Sequence, residues 1–175
     1  MPWANGGGVT SEIHAEPSPG APWGWRVSAA DVSKDGPFSS LPGVDRHLLI
    51  VRGEGVLLSL HGAPEQRLDR DAPVLRFLGE QPVSSRLVNG PVLDLNLMVR
   101  RDTYHGALRR VSLSRGVSWT PAIDDRLVVV LEGSVMVGDQ RLALLDAVFM
   151  AEGTHSPSFH CDEPAMVAAV TVVPL

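Results

Sequence analysis

The stretch Val92-Leu93-Asp94-Leu95-Asn96-Leu97-Met98-Val99-Arg100 alternates without a break. A β-strand sends successive side chains to opposite faces. Leu93, Leu95, Leu97 and Val99 therefore form one row, and Asp94, Asn96, Met98 and Arg100 form the other. The apolar row belongs in a core. The polar row faces either solvent or a lumen, and a period of two does not choose between them. Upstream, Trp25-Arg26-Val27-Ser28-Ala29-Ala30 alternates in the same way, with Arg26 and Ser28 on one side and Trp25 and Val27 on the other. Leu48-Leu49-Ile50-Val51 and Val56-Leu57-Leu58-Ser59-Leu60 flank Gly53-Glu54-Gly55. This pattern predicts a hairpin whose glycines supply positive φ. The 17 glycines and 14 prolines punctuate short Val- and Leu-rich runs, the pattern of a many-stranded all-β chain.

The second half repeats the first in outline. Residues 127–137 resemble residues 49–59 when Glu54-Gly55 is laid on Glu132-Gly133, and Pro164 leads Met166 to Val173 much as Pro91 leads Leu93 to Val99. Chance resemblance between two glycine-turn hairpins is the competing account. The economical reading is a duplication into strand-rich halves, 1–101 and 102–175, with residues 102–110 as the crossover. Strand, Glu-Gly turn, strand and an apolar run ending at Asp146 is also how a cupin half reads. The expected fold is an all-β bicupin, two cupin-like (double-stranded β-helix) halves fused in one compact domain.

Bulk properties narrow the function. The 175 residues are 44% hydrophobic and 20% charged, with a formal net charge of -5. Nucleic-acid binding needs clustered Lys and Arg, and no such cluster occurs. No apolar run approaches the roughly 20 residues of a membrane-spanning helix. The N-terminus lacks the basic start and apolar stretch of a secretory signal, and the single cysteine, Cys161, suits a reducing compartment. The cytoplasm is the expected location.

Catalytic chemistry finds little purchase. A cupin metal site wants a His-x-His pair, and His14, His47, His61, His105, His155 and His160 are scattered singly. His155, His160 and Cys161 lie close in sequence, but their spacing matches no standard zinc pattern. There is no Gly-x-Ser-x-Gly elbow. His160 and Cys161, adjacent on a strand, point to opposite faces. No catalytic residue, metal or cofactor is assigned. Gly6-Gly7-Gly8 has no strand before it and reads as a flexible turn, although bare backbone there could offer N–H groups to an anion. Arg26, Arg46 and Arg100 are more informative: guanidinium groups bind carboxylates bidentately, and converging in a barrel mouth they form a small-acid pocket. Pairing with structural carboxylates, Arg26 with Asp94 or Arg46 with Asp45, is the plainer alternative.

Four blocks occur in order: Pro2-Trp3-x-Asn5-Gly6-Gly7-Gly8-x-Thr10; Trp25-Arg26-Val27-Ser28-x-Ala30; Asp35-Gly36-Pro37-Phe38-Ser39-x-x-Pro42-Gly43-x-Asp45-Arg46; and Gly90-Pro91-x-x-Asp94-x-Asn96-x-Met98-x-Arg100-Arg101. Together they resemble the HutD/Ves family, bicupin proteins encoded with histidine-utilisation genes or described as stress-induced. Two departures stand out: Ala4 replaces a common Lys, and Met1 directly precedes the Pro-Trp motif where relatives carry a further strand. The resemblance implies a cytoplasmic protein without an obligatory metal. In the HutD branch it implies a regulator that binds a small acid of histidine breakdown, such as formylglutamate or urocanate. By motif position it nominates Asn5, Thr10, Arg26, Ser28, Ser39, Arg46, Asn96 and Met98 as pocket residues. Arg26 and Arg46 would hold the carboxylate, Ser28 and Asn96 would orient it, and Met98 would form an apolar wall. The expected partner is a small carboxylate, with no nucleic acid and no membrane. A cupin-fold isomerase or hydrolase, or a structural homodimer module, are the alternatives.

Overall fold

The computed structural model describes Met1 and residues 7–175, and these contain strands, turns and no α-helix. By contact density the chain separates into two units, one of Met1–His105 with Leu175 and one of Gly106–Pro174.

In the first unit the strands are β1 (Gly8–Ser18), β2 (Ala21–Val32), β3 (Gly36–Pro37), β4 (Val44–Arg52), β5 (Val56–Leu60), β6 (Gln66–Leu68), β7 (Leu75–Leu78), β8 (Val83–Leu87) and β9 (Val92–Arg100). They form a five-stranded sheet in the order β1-β2-β9-β4-β7 and a four-stranded sheet in the order β3-β8-β5-β6. A core cluster joins them, with Ala30, Leu48, Ile50 and Phe77 from the larger sheet meeting Val56, Leu58, Leu60, Leu68 and Val83 from the smaller. Two sheets closed over an apolar interior are what alternating strands with glycine-rich turns produce.

The chain enters the second unit along β10 (Tyr104–Leu113), whose first two residues belong to the first unit, and continues with β11 (Asp125–Glu132), β12 (Val135–Val137), β13 (Gln140–Leu142), β14 (Ala147–Phe149), β15 (Phe159–His160) and β16 (Ala165–Pro174). The sheets of this unit run β10-β16-β11-β14 and β13-β12-β15. The order β2-β9-β4-β7 of the first unit thus returns as β10-β16-β11-β14, and β8-β5-β6 returns as β15-β12-β13. Residues 102–110, read from sequence as a crossover, are largely strand, since β10 starts at Tyr104.

The glycine turns differ from expectation. β4 pairs with β9 and β7, whereas β5 pairs with β8 and β6, so Gly53-Glu54-Gly55 carries the chain between sheets and closes no hairpin. Glu132-Gly133 does the same, because β11 pairs with β14 and β16 while β12 pairs with β13 and β15. Glycine is required for closeness as well as for φ. A Cβ on Gly53 (φ 93°) would sit 2.6 Å from the Pro91 carbonyl oxygen, and one on Gly133 (φ 74°) 3.0 Å from that of Pro164. This shared contact makes Gly53, rather than Gly55, the counterpart of Gly133.

Candidate functional site on the inner face of the first unit

Strand register places the candidate residues. Arg26, Met98, Arg46 and Phe77 lie side by side across β2, β9, β4 and β7. The next row is Ser28, Asn96, Leu48 and Leu75, and the one after it is Ala30, Asp94 and Ile50. Cross-strand partners share a face, and Leu48, Ile50, Ala30 and Phe77 of these rows belong to the interior cluster. The polar row of β9 therefore looks inward. Asp94, Asn96 and Met98 are buried, as are Leu93, Leu95, Leu97 and Val99 on the opposite side, so this strand is covered on both faces.

Arg46 is 6% exposed. Its guanidinium carbon lies 4.9 Å from the centroid of Phe38 and 5.1 Å from that of Phe77, and the two rings meet edge to face at 5.8 Å. Nη1 donates to the carbonyl oxygen of Ser39 at 3.4 Å, and Nε is buried with no hydrogen-bond partner among the described residues. Ring faces attract a cation through their quadrupole, most strongly where water is excluded. The neighbouring acid, Asp45, projects to the other face and is engaged by Arg76 at 2.7 Å and Arg101 at 3.2 Å. Arg46 is thus held by aromatic rings and a carbonyl. Burial brings its pKa down to about 10, against the attraction of Asp94.

Asp94 is the buried acid on this face. Burial pushes its carboxyl up from 3.8 to about 7; Arg46 pulls against that shift and Asp31 adds to it. Its Oδ1 and that of Asn96 are buried without a hydrogen-bond partner among the described residues. Such orphaned oxygens are uncommon in folded proteins and carry a desolvation cost.

The other candidates divide. Arg26 Nε lies 2.9 Å from Glu12 Oε2, close enough for an ion pair although not aligned as a hydrogen bond, so a carboxylate within the sheet already answers its charge. Ser28 is buried beside Asn96. Met98 lies between the two arginines. Thr10 is paired with Ala30 on the edge strand β1 and is half-buried. Ser39 is exposed and contributes its carbonyl to Arg46. Arg100 lies 3.5 Å from Asp102. Asn5 falls outside the described residues. Sequence reasoning saw Asp94 on the polar face without assigning it to the site, and it missed Phe38 and Phe77. Nothing near Phe77 in the chain signals that it will lie across from Arg46.

The equivalent surface of the second unit is apolar. With Gly53 matched to Gly133 and Pro91 to Pro164, the pair Ile50–Asp94 corresponds to Val130–Val167, and Leu48–Asn96 to Val128–Ala169. Those four residues are fully buried, and three of them lie in a core cluster with Phe159, Met150 and Cys161. Cys161 Sγ donates towards the carbonyls of Ser114 at 3.5 Å and Leu113 at 3.7 Å, as an inert core thiol would. His155 is exposed in a loop and His160 lies on β15.

The first unit's inner face is a poor donor set for a metal, because its carboxylates, Asp94 and the Arg26-paired Glu12, stand with an amide and a hydroxyl beside fixed cations. Among the described residues no group of three or more His, Cys, Asp or Glu is placed to hold a metal ion, and no helix is long and apolar enough to cross a membrane.

Comparison with known proteins agrees with this architecture. A family model described as HutD matches residues 1–169. An uncharacterised 21.2 kDa protein in the hutC 3' region of Pseudomonas putida is 36% identical over 110 residues, which are 62% of this chain and 57% of that protein. Protein Ves of Cronobacter sakazakii is 34% identical over 155 residues, 88% of this chain and 83% of that protein. The structure of HutD from Pseudomonas fluorescens SBW25, in a formate condition, superimposes with a TM-score of 0.85 at 29% identity, covering 100% of this chain and 93% of the other. A cupin 2 conserved barrel domain protein from Leptotrichia buccalis shares the fold alone, with a TM-score of 0.60 at 13% identity over 95% of this chain and 89% of the other.

Proposed function

The chain belongs to the HutD family, and on that premise we propose that it is a non-catalytic receptor for a small carboxylate. One observation carries the reading. Arg46 is a buried cation held against Phe38 and Phe77 with no ion-paired acid among the described residues. A buried cation that feels Asp94 but has no acid in direct contact is costly, and a ligand carboxylate would supply the direct partner. The dry surface at the equivalent positions of the second unit supports placing the ligand in the first. A relative lying in a hutC 3' region supports a regulatory role in histidine utilisation, with the ligand a small acid such as formylglutamate or urocanate. The likeness to protein Ves keeps a stress-response role alongside it. The cytoplasm is where such metabolites are sensed.

A thermal-shift series with small acids tests the reading, since a ligand that binds only the folded state raises Tm, and the stabilisation grows with the logarithm of ligand concentration above Kd. The expected result is a rise with at least one acid that is absent in Arg46→Met. A folded wild-type protein that no acid shifts at saturating concentration removes the proposal.

Asp94 favours a second reading. A buried carboxyl titrating near neutrality suits general acid–base work, so an isomerase or hydrolase acting on the same acid would place its proton transfer there. Turnover of a bound acid by the wild type, lost in Asp94→Asn, is its signature.

A further inference from the structure

Two turns carry the chain between the sheets of the first unit, Gly53-Glu54-Gly55 from β4 to β5 and residues 88–91 from β8 to β9. They are stitched together. Val88 N–H donates to the Gly55 carbonyl at 3.0 Å, Asn89 Nδ2 donates to Glu54 Oε1 at 2.8 Å, and the Pro91 carbonyl lies where a side chain on Gly53 would go. Asn89 is exposed, adopts the left-handed conformation (φ 53°) and is followed by Gly90. Asn tolerates that conformation in turns. Asn before an exposed Gly is also chemically labile, because no side chain shields the next backbone nitrogen from the amide carbon. Gly90 has open space where a Cβ would stand, and its N–H makes no hydrogen bond among the described residues. Asn96 is the contrast: it is buried within β9 and followed by Leu97. Asn5-Gly6 repeats the labile pair but falls outside the described residues.

We propose that Asn89-Gly90 is a site of spontaneous deamidation, which replaces the side-chain hydrogen bond between the two turns by a like-charge contact. The Gly90 nitrogen attacks Cγ of Asn89, and the new N–C bond closes a succinimide. The Cγ–Nδ2 bond breaks, and ammonia leaves with the proton given up by the Gly90 nitrogen. Water then opens the ring. Cleavage of the N–Cγ bond leaves an aspartate. Cleavage of the bond to the main-chain carbonyl carbon leaves an isoaspartate, whose extra methylene lengthens the main chain just ahead of β9. Either product sets a carboxylate beside Glu54, which loses a donor and gains a negative neighbour. Arg67 at this turn already donates to the Glu54 carbonyl at 3.0 Å and to Asp69 at 3.1 Å. Asp35, which accepts from Leu87 N–H at 2.7 Å, adds another acid to the same connection.

The test incubates the whole wild-type chain in warm, mildly alkaline buffer, folded or unfolded in guanidinium chloride, and follows the tryptic peptide 87–100 by mass spectrometry. Fragment ions separate Asn89 from Asn96. In the folded chain Asn89 is expected to convert, partly to isoaspartate, at a rate within about tenfold of that in the unfolded chain, because an exposed turn needs little opening. Asn96 is expected to stay intact until the chain unfolds. An Asn89 that converts only after unfolding overturns the proposal, and this comparison needs no substitution. The like-charge contact has its own readout. Asn89→Asp, which supplies the carboxylate without lengthening the main chain, is expected to melt below the wild type, and adding Glu54→Gln is expected to remove that difference. An Asn89→Asp variant that melts with the wild type overturns the electrostatic consequence.

Discussion

Arg46 and Phe77 are direct cross-strand neighbours on β4 and β7, and the guanidinium carbon of one lies 5.1 Å from the ring centroid of the other. The pair sits where water is excluded, so the aromatic face does part of the work that a carboxylate would do elsewhere. Phe77→Leu keeps an apolar side chain but removes the π face. A loss of about 2 kcal/mol in unfolding free energy is expected. A double-mutant cycle with Arg46→Met should return a coupling of about 1 kcal/mol, measured by urea denaturation. A coupling near zero would mean that Phe77 only fills space.

Asp94 links stability to pH. Its folded pKa of about 7 lies above the ordinary 3.8, so between those values the folded state binds more protons than the unfolded one. Its contribution is fully present below about pH 4 and is lost as pH rises through 7. Asp94→Asn should therefore gain stability relative to wild type between pH 5 and pH 8, by a few kcal/mol at most. Paired melting curves across that range check the sign. A difference that stays constant with pH excludes titration of Asp94 there.

His47 acts in the opposite direction. It is buried on the other face of β4, and burial, with help from Arg76 and against Asp45, lowers its pKa from 6.5 to about 4. The unfolded chain then binds the extra proton, and stability falls as pH drops from 6.5 towards 4. His47→Gln should flatten this acid limb. NMR titration of the imidazole gives a direct reading, with the neutral ring expected to persist at pH 5.

Gly53→Ala should destabilise by 2 kcal/mol or more on an order-of-magnitude basis, because it adds a strained φ to a collision with backbone. The Pro91 carbonyl oxygen at 2.6 Å from the new Cβ has no flexible end to move aside. Gly62→Ala provides the contrast, with a positive φ and open space around it. Its cost should be about 1 kcal/mol, measured by the same denaturation.

Asp125 anchors the second unit. Its fully buried carboxylate accepts from the Ala122 backbone N–H at 2.8 Å, from the Thr171 hydroxyl at 2.7 Å and from Arg109. Asp125→Ala leaves these donors unanswered in the interior, and a cost of about 3–5 kcal/mol is expected. Proteolysis that begins within residues 106–174 would show the loss there.

The alternation over residues 92–100 and 25–30 is legible in the chain because the period of a strand is a local property. It correctly separates Leu95 from Asn96 and Val27 from Ser28. Gly53-Glu54-Gly55 is legible as a turn, yet the local pattern wrongly joins its strands as a hairpin. Whether a strand pairs with its neighbour in sequence or with one forty residues away depends on long-range closure that no local pattern records. Arg26 and Arg46 look alike in the chain. The Glu12 side chain, from the position paired with Ser28, reaches the first, and register puts Phe77 across from the second.

By itself, then, the order of residues determined the class of secondary structure, the two faces of each strand and the family to which the chain belongs. Only tertiary structure decided that the polar face of β9 is interior and that Arg46 meets rings where Arg26 meets an acid. It also left the matching face of the second unit dry. The physical reason is that burial and counter-ion choice arise from strands distant in sequence being brought within a few ångströms of each other, and those distances set the electrostatics on which a binding site depends.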